Sequence, residues 1–341
     1  MVQTPTIRFG AAEDPFEAMF DRGWSDGLPL VPPTPERVSQ MLAGTERSPD
    51  EVIATVAPDL VECTVEKVAV NAVMAGCRPE YQPVVLTAVE AACTDEFNIH
   101  GVLATTMSVG PIIIVNGPIR KRIGMNSGGN VLGQGNRANM TIGRALQLVT
   151  RNVGGGRPGE VDQATLGSPS KLSFCFAEDE EGSPWESLAQ ERGFSADTST
   201  VTLFAGEGPR VIVDQLSRKP EALTKSLAAC LMTTGHPKMA LAFDTILVVS
   251  PEHAARYTGW SKQQLREELQ KHLMVDVGRL PSTAIGITTE DKAETKQLPK
   301  FRKDGLIIVH AGGTAGLFSS AICGWASGPS GSQHITREIK S

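Results

Sequence analysis

Glu178 heads an acidic run, Glu178-Asp179-Glu180-Glu181, that follows the alternating segment Lys171 to Ala177. A carboxylate at the end of a strand, crowded by like charges, has its proton affinity raised toward the range useful to a general acid or base. His310 closes the apolar run GLIIVHAGG and offers an imidazole to shuttle a proton, with the amides of Gly312 and Gly313 beside it as oxyanion donors. Asn116 closes a second run, GPIIIVNG, where it would orient a substrate. Cys323 lies in a glycine- and serine-rich stretch with His334 eleven residues on, and a Cys/His nucleophile pair needs only closeness in space.

A different composition marks Asn126, Ser127, Gly128, Gly129 and Asn130, continuing through Gly133 and Gly135 to Asn136 and Arg137. Glycines remove side chains so that successive backbone N–H groups can point at one ligand, and Asn136 or Asn139 can cap a helix beginning near Met140. A helix N-terminus attracts anions, and Arg137 adds a forked donor for carboxylate or phosphate. The loop is therefore expected to cradle an anion; the alternative is a plain glycine-rich connection. No Gly-Lys-Ser or Gly-Lys-Thr occurs in it, and GQGNRA, which fits a dinucleotide fingerprint, follows SGGNVL, a poor strand. No cofactor is expected. No histidine pair has the i, i+4 spacing of a helical metal site and no Cys-x-x-Cys occurs, so no metal centre is expected either.

These residues must be held by larger elements. GPIIIVNG, DTILVVSP (Asp244 to Pro251) and GLIIVHAGG are short continuous β-branched runs that stop at Asn116, Ser250 and His310, each before glycine or proline or within a residue of one. Such runs read as sheet strands buried on both faces, and in open α/β sheets ligands sit beyond the carboxyl ends of parallel strands. Thr64 is expected to cap a helix over Val65 to Ala75 that ends near Gly76, and Ser183 with Pro184 to open another. The helix leading to AVMAGCRP and then IIIVNGPI is echoed by the one leading to LMTTGHP and then ILVVSPEH, the pattern of a duplicated half. The expected fold is α/β, with predominantly parallel or mixed sheets flanked by helices and two pseudo-repeated halves. Residues 1–40 form an extended arm, because four prolines fall between Leu28 and Pro35; 41–160 form one half and 161–341 the other. In the arm, the turn WSDGLP carries Asp26.

A net charge of −6 argues against nucleic acid, whose phosphates draw affinity from clustered lysine and arginine; IRKR (119–122) is the nearest basic run. No apolar run reaches membrane-spanning length, and the first residues show no basic and apolar leader pattern, so a cytoplasmic protein is expected. The six scattered cysteines read as buried reduced thiols. A homo-oligomer is expected from the glycine-rich surface loop and the polar sheet edge.

DRGWSDGLPLVPPT, VEKVAVNAVMAGCRPEY, NSGGNVLGQGNRANMTIGRAL and AEDEEGSPWESLAQERGF together resemble a largely uncharacterised bacterial family labelled UGSC-type (seleno)protein-related, or thiol-disulfide oxidoreductase-like. The resemblance spans most of the chain. It implies a Cys-Gly-Ser-Cys or selenocysteine equivalent, which this sequence lacks; Cys323-Gly324-Trp325 is the nearest approach. The residues themselves favour an acid/base lyase or hydrolase acting on an anionic, carboxylated metabolite. A thiol enzyme using Cys323 or Cys77, and a non-catalytic module binding an anionic metabolite or a protein, are the alternatives.

Overall fold

Two short helices interrupt the expected extended arm: α1 (Pro15–Asp21) and α2 (Pro35–Leu42), capped by Asp14 and Thr34 with proline at the first helical position. Proline costs nothing there, because the N–H it lacks has no helical partner anyway. Between them the proline-rich stretch is neither helix nor strand. Asp26 fastens this stretch to the body through a paired contact with Arg144, at 2.8 Å for both bonds. Asp26 is thus an anchor of a turn, in which Ser25 Oγ donates to the Leu28 carbonyl. The computed structural model describes every residue except 1–4, 11, 277, 279–296, 329–330 and 341.

After the hairpin β1 (Val52–Val56) and β2 (Val61–Thr64) come α3 (Val65–Ala75), α4 (Gln82–Ala92) and α5 (Ile99–Ala104). Thr64 caps α3 by accepting from the Lys67 amide, and Gly76 ends it at φ 90°, both as the sequence leads one to expect. Next are β3 (Gly110–Asn116), α6 (Ile119–Arg122), α7 (Arg137–Asn152), β4 (Cys175–Ala177), α8 (Leu188–Glu191), β5 (Thr200–Gly206), β6 (Arg210–Val213) and α9 (Pro220–Leu231). The chain continues through β7 (Phe243–Val249), α10 (Pro251–Ala254), α11 (Lys262–His272), β8 (Met274–Asp276) and β9 (Gln297–Pro299) to β10 (Leu306–His310), β11 (Phe318–Ala326) and β12 (Ile335–Glu338).

Eight strands make one mixed sheet with the path β10-β7-β11-β5-β3-β4, to which β6 adds on β11 and β12 on β5. The path resolves into two quartets of one design. In β4-β3-β5-β12 the first pair is parallel and the next two antiparallel, and β10-β7-β11-β6 repeats that order. Gly206 opposite Gly324 joins them. The quartets exchange a strand, since β6 follows β5 in sequence yet joins β11, while β12 follows β11 yet joins β5. The echo between the two stretches preceding β3 and β7 is therefore matched by sheet topology, but strand pairing crosses residue 160: β3 pairs with β4 and β5, both beyond it. Of the three runs expected to be parallel, β7 and β10 are paired so, and β3 has β4 as its parallel neighbour instead.

Alternate side chains point into different layers. Ile113, Val115, Val201 and Leu203 pack under α3, α4 and α7. Leu247, Val249, Leu306 and Ile308 pack under α9 and α11. Ile112, Ile114, Phe176, Phe204, Ile246, Val248, Ile307 and Val309 meet in a third cluster made almost wholly of strand residues from both quartets. The two ends of the strand path also touch, because the Asp179 amide donates to the His310 carbonyl at 2.8 Å. The sheet thus folds back on itself, and the C-terminal ends of β4 and β10 form a corner.

Candidate functional site

That corner is where three of the residues singled out for chemistry meet. In the parallel β3/β4 pair Val115 lies opposite Ala177, so Asn116 and Glu178 follow side by side. Both side chains take the inward parity of Ile114 and Phe176. Asn116 Nδ2 donates to Glu178 Oε2 at 2.6 Å, and the Leu188 amide donates to the same oxygen at 2.7 Å. The other oxygen, Oε1, has the His310 amide at 3.5 Å, a long contact. Glu178 is fully buried. Burial pushes its proton affinity above the ordinary carboxylate value, against the opposing pull of the Lys262 charge and of the Leu188, Asn116 and His310 donors.

The next acids belong to a separate arrangement. Glu180 accepts from Asn116 Nδ2 and from the Gly117 amide, both at 2.8 Å, and its other oxygen meets Arg120 at 2.7 Å. Arg120 is buried, donates also to the carbonyls of Glu178 (2.8 Å) and Gly117 (3.0 Å), and with Lys121 holds the Glu181 carboxyl down at about 2. The acidic run thus divides: Glu180 and Glu181 are balanced by Arg120, and Glu178 is left in the interior. The basic run IRKR forms α6 and supplies this buried guanidinium. The helix expected at Ser183 begins later, at Leu188, with Ser187 as its cap, and the strand expected over Lys171 to Ala177 is confined to β4.

His310 is also fully buried. Its Nδ1 lies 3.0 Å from the Asp179 carbonyl and 3.4 Å from Asp179 Oδ2. A carbonyl only accepts, so the contact assigns a hydrogen to Nδ1 and leaves Nε2 as the free nitrogen. Nε2 has no partner; neither does Asn116 Oδ1, nor the hydroxyl of Thr200, which sits opposite Asn116 in β5. Three buried polar atoms without partners on the strands of one region are unusual, since such groups are bonded in the great majority of native positions.

The asparagine- and glycine-rich loop reaches this corner by its backbone. The Gly312 amide donates to the Ser127 carbonyl at 2.9 Å, Gly129 and Gly313 lie against each other, and Val131 roots the loop in the inner apolar cluster. Gly312 N–H is therefore engaged rather than free as an oxyanion donor. The loop's asparagines turn inward on their own backbone. Asn126 Oδ1 accepts from the Gly128 amide and its Nδ2 donates to the Gly129 carbonyl; Asn130 Nδ2 donates to the Gln134 carbonyl and Asn136 Nδ2 to the Gly124 carbonyl. Asn136 caps α7, which starts at Arg137 rather than near Met140, and Asn139 lies inside the helix exchanging hydrogen bonds with the Asn126 backbone. Arg137 points elsewhere: its Nε donates to the Gly76 carbonyl at 2.9 Å, at the end of α3. The Asn116 and Glu178 side chains and the His310 backbone converge near the Ser127–Gly129 backbone, then, while the His310 ring has the parity of Leu306 and Ile308 and Arg137 belongs to the α3–α7 seam.

Cys323 is placed apart. It pairs with Thr245 beside the Gly206–Gly324 link, at the end of β5 opposite Thr200, roughly 20 Å away at the rise of a strand. Burial pushes its thiol up to about 12, and does the same to Cys77. His334 lies 3.5 Å from Asp244 instead. Arg120 and Lys262, whose ammonium is bonded to Glu191 at 2.9 Å, carry the charges nearest the corner and were not singled out by sequence, because their partners are distant along the chain. Among the described residues no group of histidine, cysteine, aspartate and glutamate could hold a metal ion, and no helix is long and apolar enough to cross a membrane. No protein-family model matches the chain, and no curated protein matches it significantly.

Proposed function

We propose that this chain is an enzyme of small-molecule metabolism, a lyase or hydrolase that moves a proton through Glu178 on a carboxylated substrate. The observation that carries the reading is the Glu178 carboxyl itself: fully buried, raised in proton affinity, and bonded to Asn116, whose own Oδ1 has no partner. A raised carboxyl can hold a proton near neutral pH and release it to a developing negative charge. Oε2 already accepts two strong hydrogen bonds, so the proton belongs on Oε1. Asn116 fixes the carboxyl and offers its own oxygen to a substrate donor, and His310 contributes its backbone amide on the side of Oε1 while its ring turns to Asp179. The backbone of Ser127 to Gly129 covers this corner.

Acid/base chemistry is preferred to thiol chemistry because burial keeps Cys323 and Cys77 protonated and poorly nucleophilic. The six unpaired cysteines suit a reducing compartment, the cytoplasm. An apolar strip on the edge strand β6, where Val211 and Val213 are exposed beside Phe318, suits contact between subunits. A panel of carboxylated compounds, screened for turnover with wild type and Glu178→Gln, tests the proposal. Loss of a general acid or base predicts a rate lower by about 10²–10⁴-fold in the variant. Wild-type turnover by Glu178→Gln would remove Glu178 from the chemistry.

A further inference from the structure

Each quartet of strands ends on an edge strand, β12 in one and β6 in the other, and the two edges differ in chemistry. On their far sides the quartets meet, where the Asp179 amide beyond β4 bonds the His310 carbonyl of β10. β12 carries Arg337 and Glu338, both exposed, and charged side chains keep an edge from pairing with another chain. β6 has no such protection after Arg210: Val211, Ile212 and Val213 follow with no charge, proline or bulge. Beyond the ladder with β11, no backbone hydrogen bond reaches these three among the described residues. Val211 is 65% exposed and Val213 59%, on the face that carries the exposed Phe318, and Leu216 in the following turn is 87% exposed. A free edge of β-branched residues is a template for one more strand, and contiguous apolar surface marks an interaction site.

The order of residues along the edge says which strand fits. Arg210 to Asp214 is self-complementary about Ile212: laid antiparallel on itself, the segment sets Ile212 of one copy opposite Ile212 of the other, Val211 opposite Val213, and Arg210 opposite Asp214. Laid parallel in register it would set arginine against arginine and aspartate against aspartate, which repel. Arg210, Ile212 and Asp214 share the helix-covered face. Ile212 clusters with Leu223 and Leu227 of α9, Arg210 donates to the Thr233 hydroxyl just past that helix, and the Asp214 carboxylate accepts from Ser217 just before it. The opposite charges thus lie on one side of an extended sheet and the valines on the other. We infer that β6 pairs antiparallel with β6 of a second copy of this chain across a two-fold axis at Ile212, joining the two sheets into one. The contact is isologous, so assembly closes at the dimer. The inference rests on the subunit contact proposed above for this strip, gives it a partner and a direction, and needs nothing of Glu178.

Sedimentation equilibrium of the full chain tests this, using wild type, Val213→Lys, Leu166→Lys and Glu178→Gln. Wild type should sediment with twice the mass of one chain. Val213→Lys, acting twice at the axis, should raise the dissociation constant about tenfold or more, whereas Leu166→Lys, at a leucine 91% exposed in another loop, should leave it unchanged. The direction has its own readout: a chain carrying Val211→Cys together with Val213→Cys, once oxidised, should give a two-chain band on a non-reducing gel that wild type lacks. A monomeric wild type, whether its edge stays bare or takes a strand from an unrelated protein, would overturn the pairing. So would a dimer that Val213→Lys leaves intact, or one that the paired cysteines fail to cross-link. Glu178→Gln should dimerise as wild type does; a dimer that turns over carboxylated compounds equally well with Glu178→Gln would leave the pairing standing and remove the acid/base reading.

Discussion

Glu178→Gln exchanges one oxygen for nitrogen and abolishes one titration while leaving an oxygen for the Leu188 and Asn116 donors. Its consequence for stability can be worked from the direction of the proton-affinity change. Burial raises the folded carboxyl above its ordinary value of 4.5. Between that value and the folded one, the native protein holds a proton that the unfolded chain has released. The associated stability is complete below pH 4.5 and is lost as pH rises through the folded pKa. The slope within that window approaches about 1.4 kcal/mol per pH unit for a single proton. Glutamine has no such slope. Urea unfolding of both proteins at steps from about pH 4 to pH 9 therefore predicts a wild-type-minus-variant difference that is level at the acid end and then falls with pH. Other titrating groups cancel in the subtraction. A difference that stays level throughout, or that moves in favour of wild type as pH rises, would mean that Glu178 is an ionised, compensated carboxylate, and the argument from burial would fail.

Two further outcomes follow from the same geometry. Arg120→Met strips donors from the carbonyls of Glu178 and Gly117 and leaves Glu180 without its cation; breaking such a buried pair should cost about 3–5 kcal/mol in urea unfolding, and a loss below about 1 kcal/mol would show that Arg120 does not hold the acidic run. Iodoacetamide at neutral pH should leave Cys77 and Cys323 unlabelled in the native protein and label both after unfolding, read by peptide mass; rapid native labelling of Cys323 would reopen the thiol alternative.

Where local chemistry decides structure, the sequence was sufficient. Thr64 and Gly76 bound α3 because a hydroxyl that accepts an amide and a residue tolerant of positive φ act within one turn of the chain. The β-branched runs ending at Asn116 and His310 became β3 and β10 because buried strands require an apolar side chain on both faces. Those runs put Asn116 and His310 at the ends of strands, and the alternating segment from Lys171 put Glu178 just past the end of another.

What surrounds those positions was decided by tertiary structure. His310 reaches Glu178 across 132 residues of chain, only because the strand path folds back until β4 and β10 touch. Arg137 and the loop asparagines had the right chemistry for an anion, yet nearby carbonyls claimed their donors, as flexible polar groups take whichever acceptor the packed fold brings first. Proton affinity and unpaired charge depend on burial and on neighbours distant in sequence, and a single polypeptide fixes both only when it has folded.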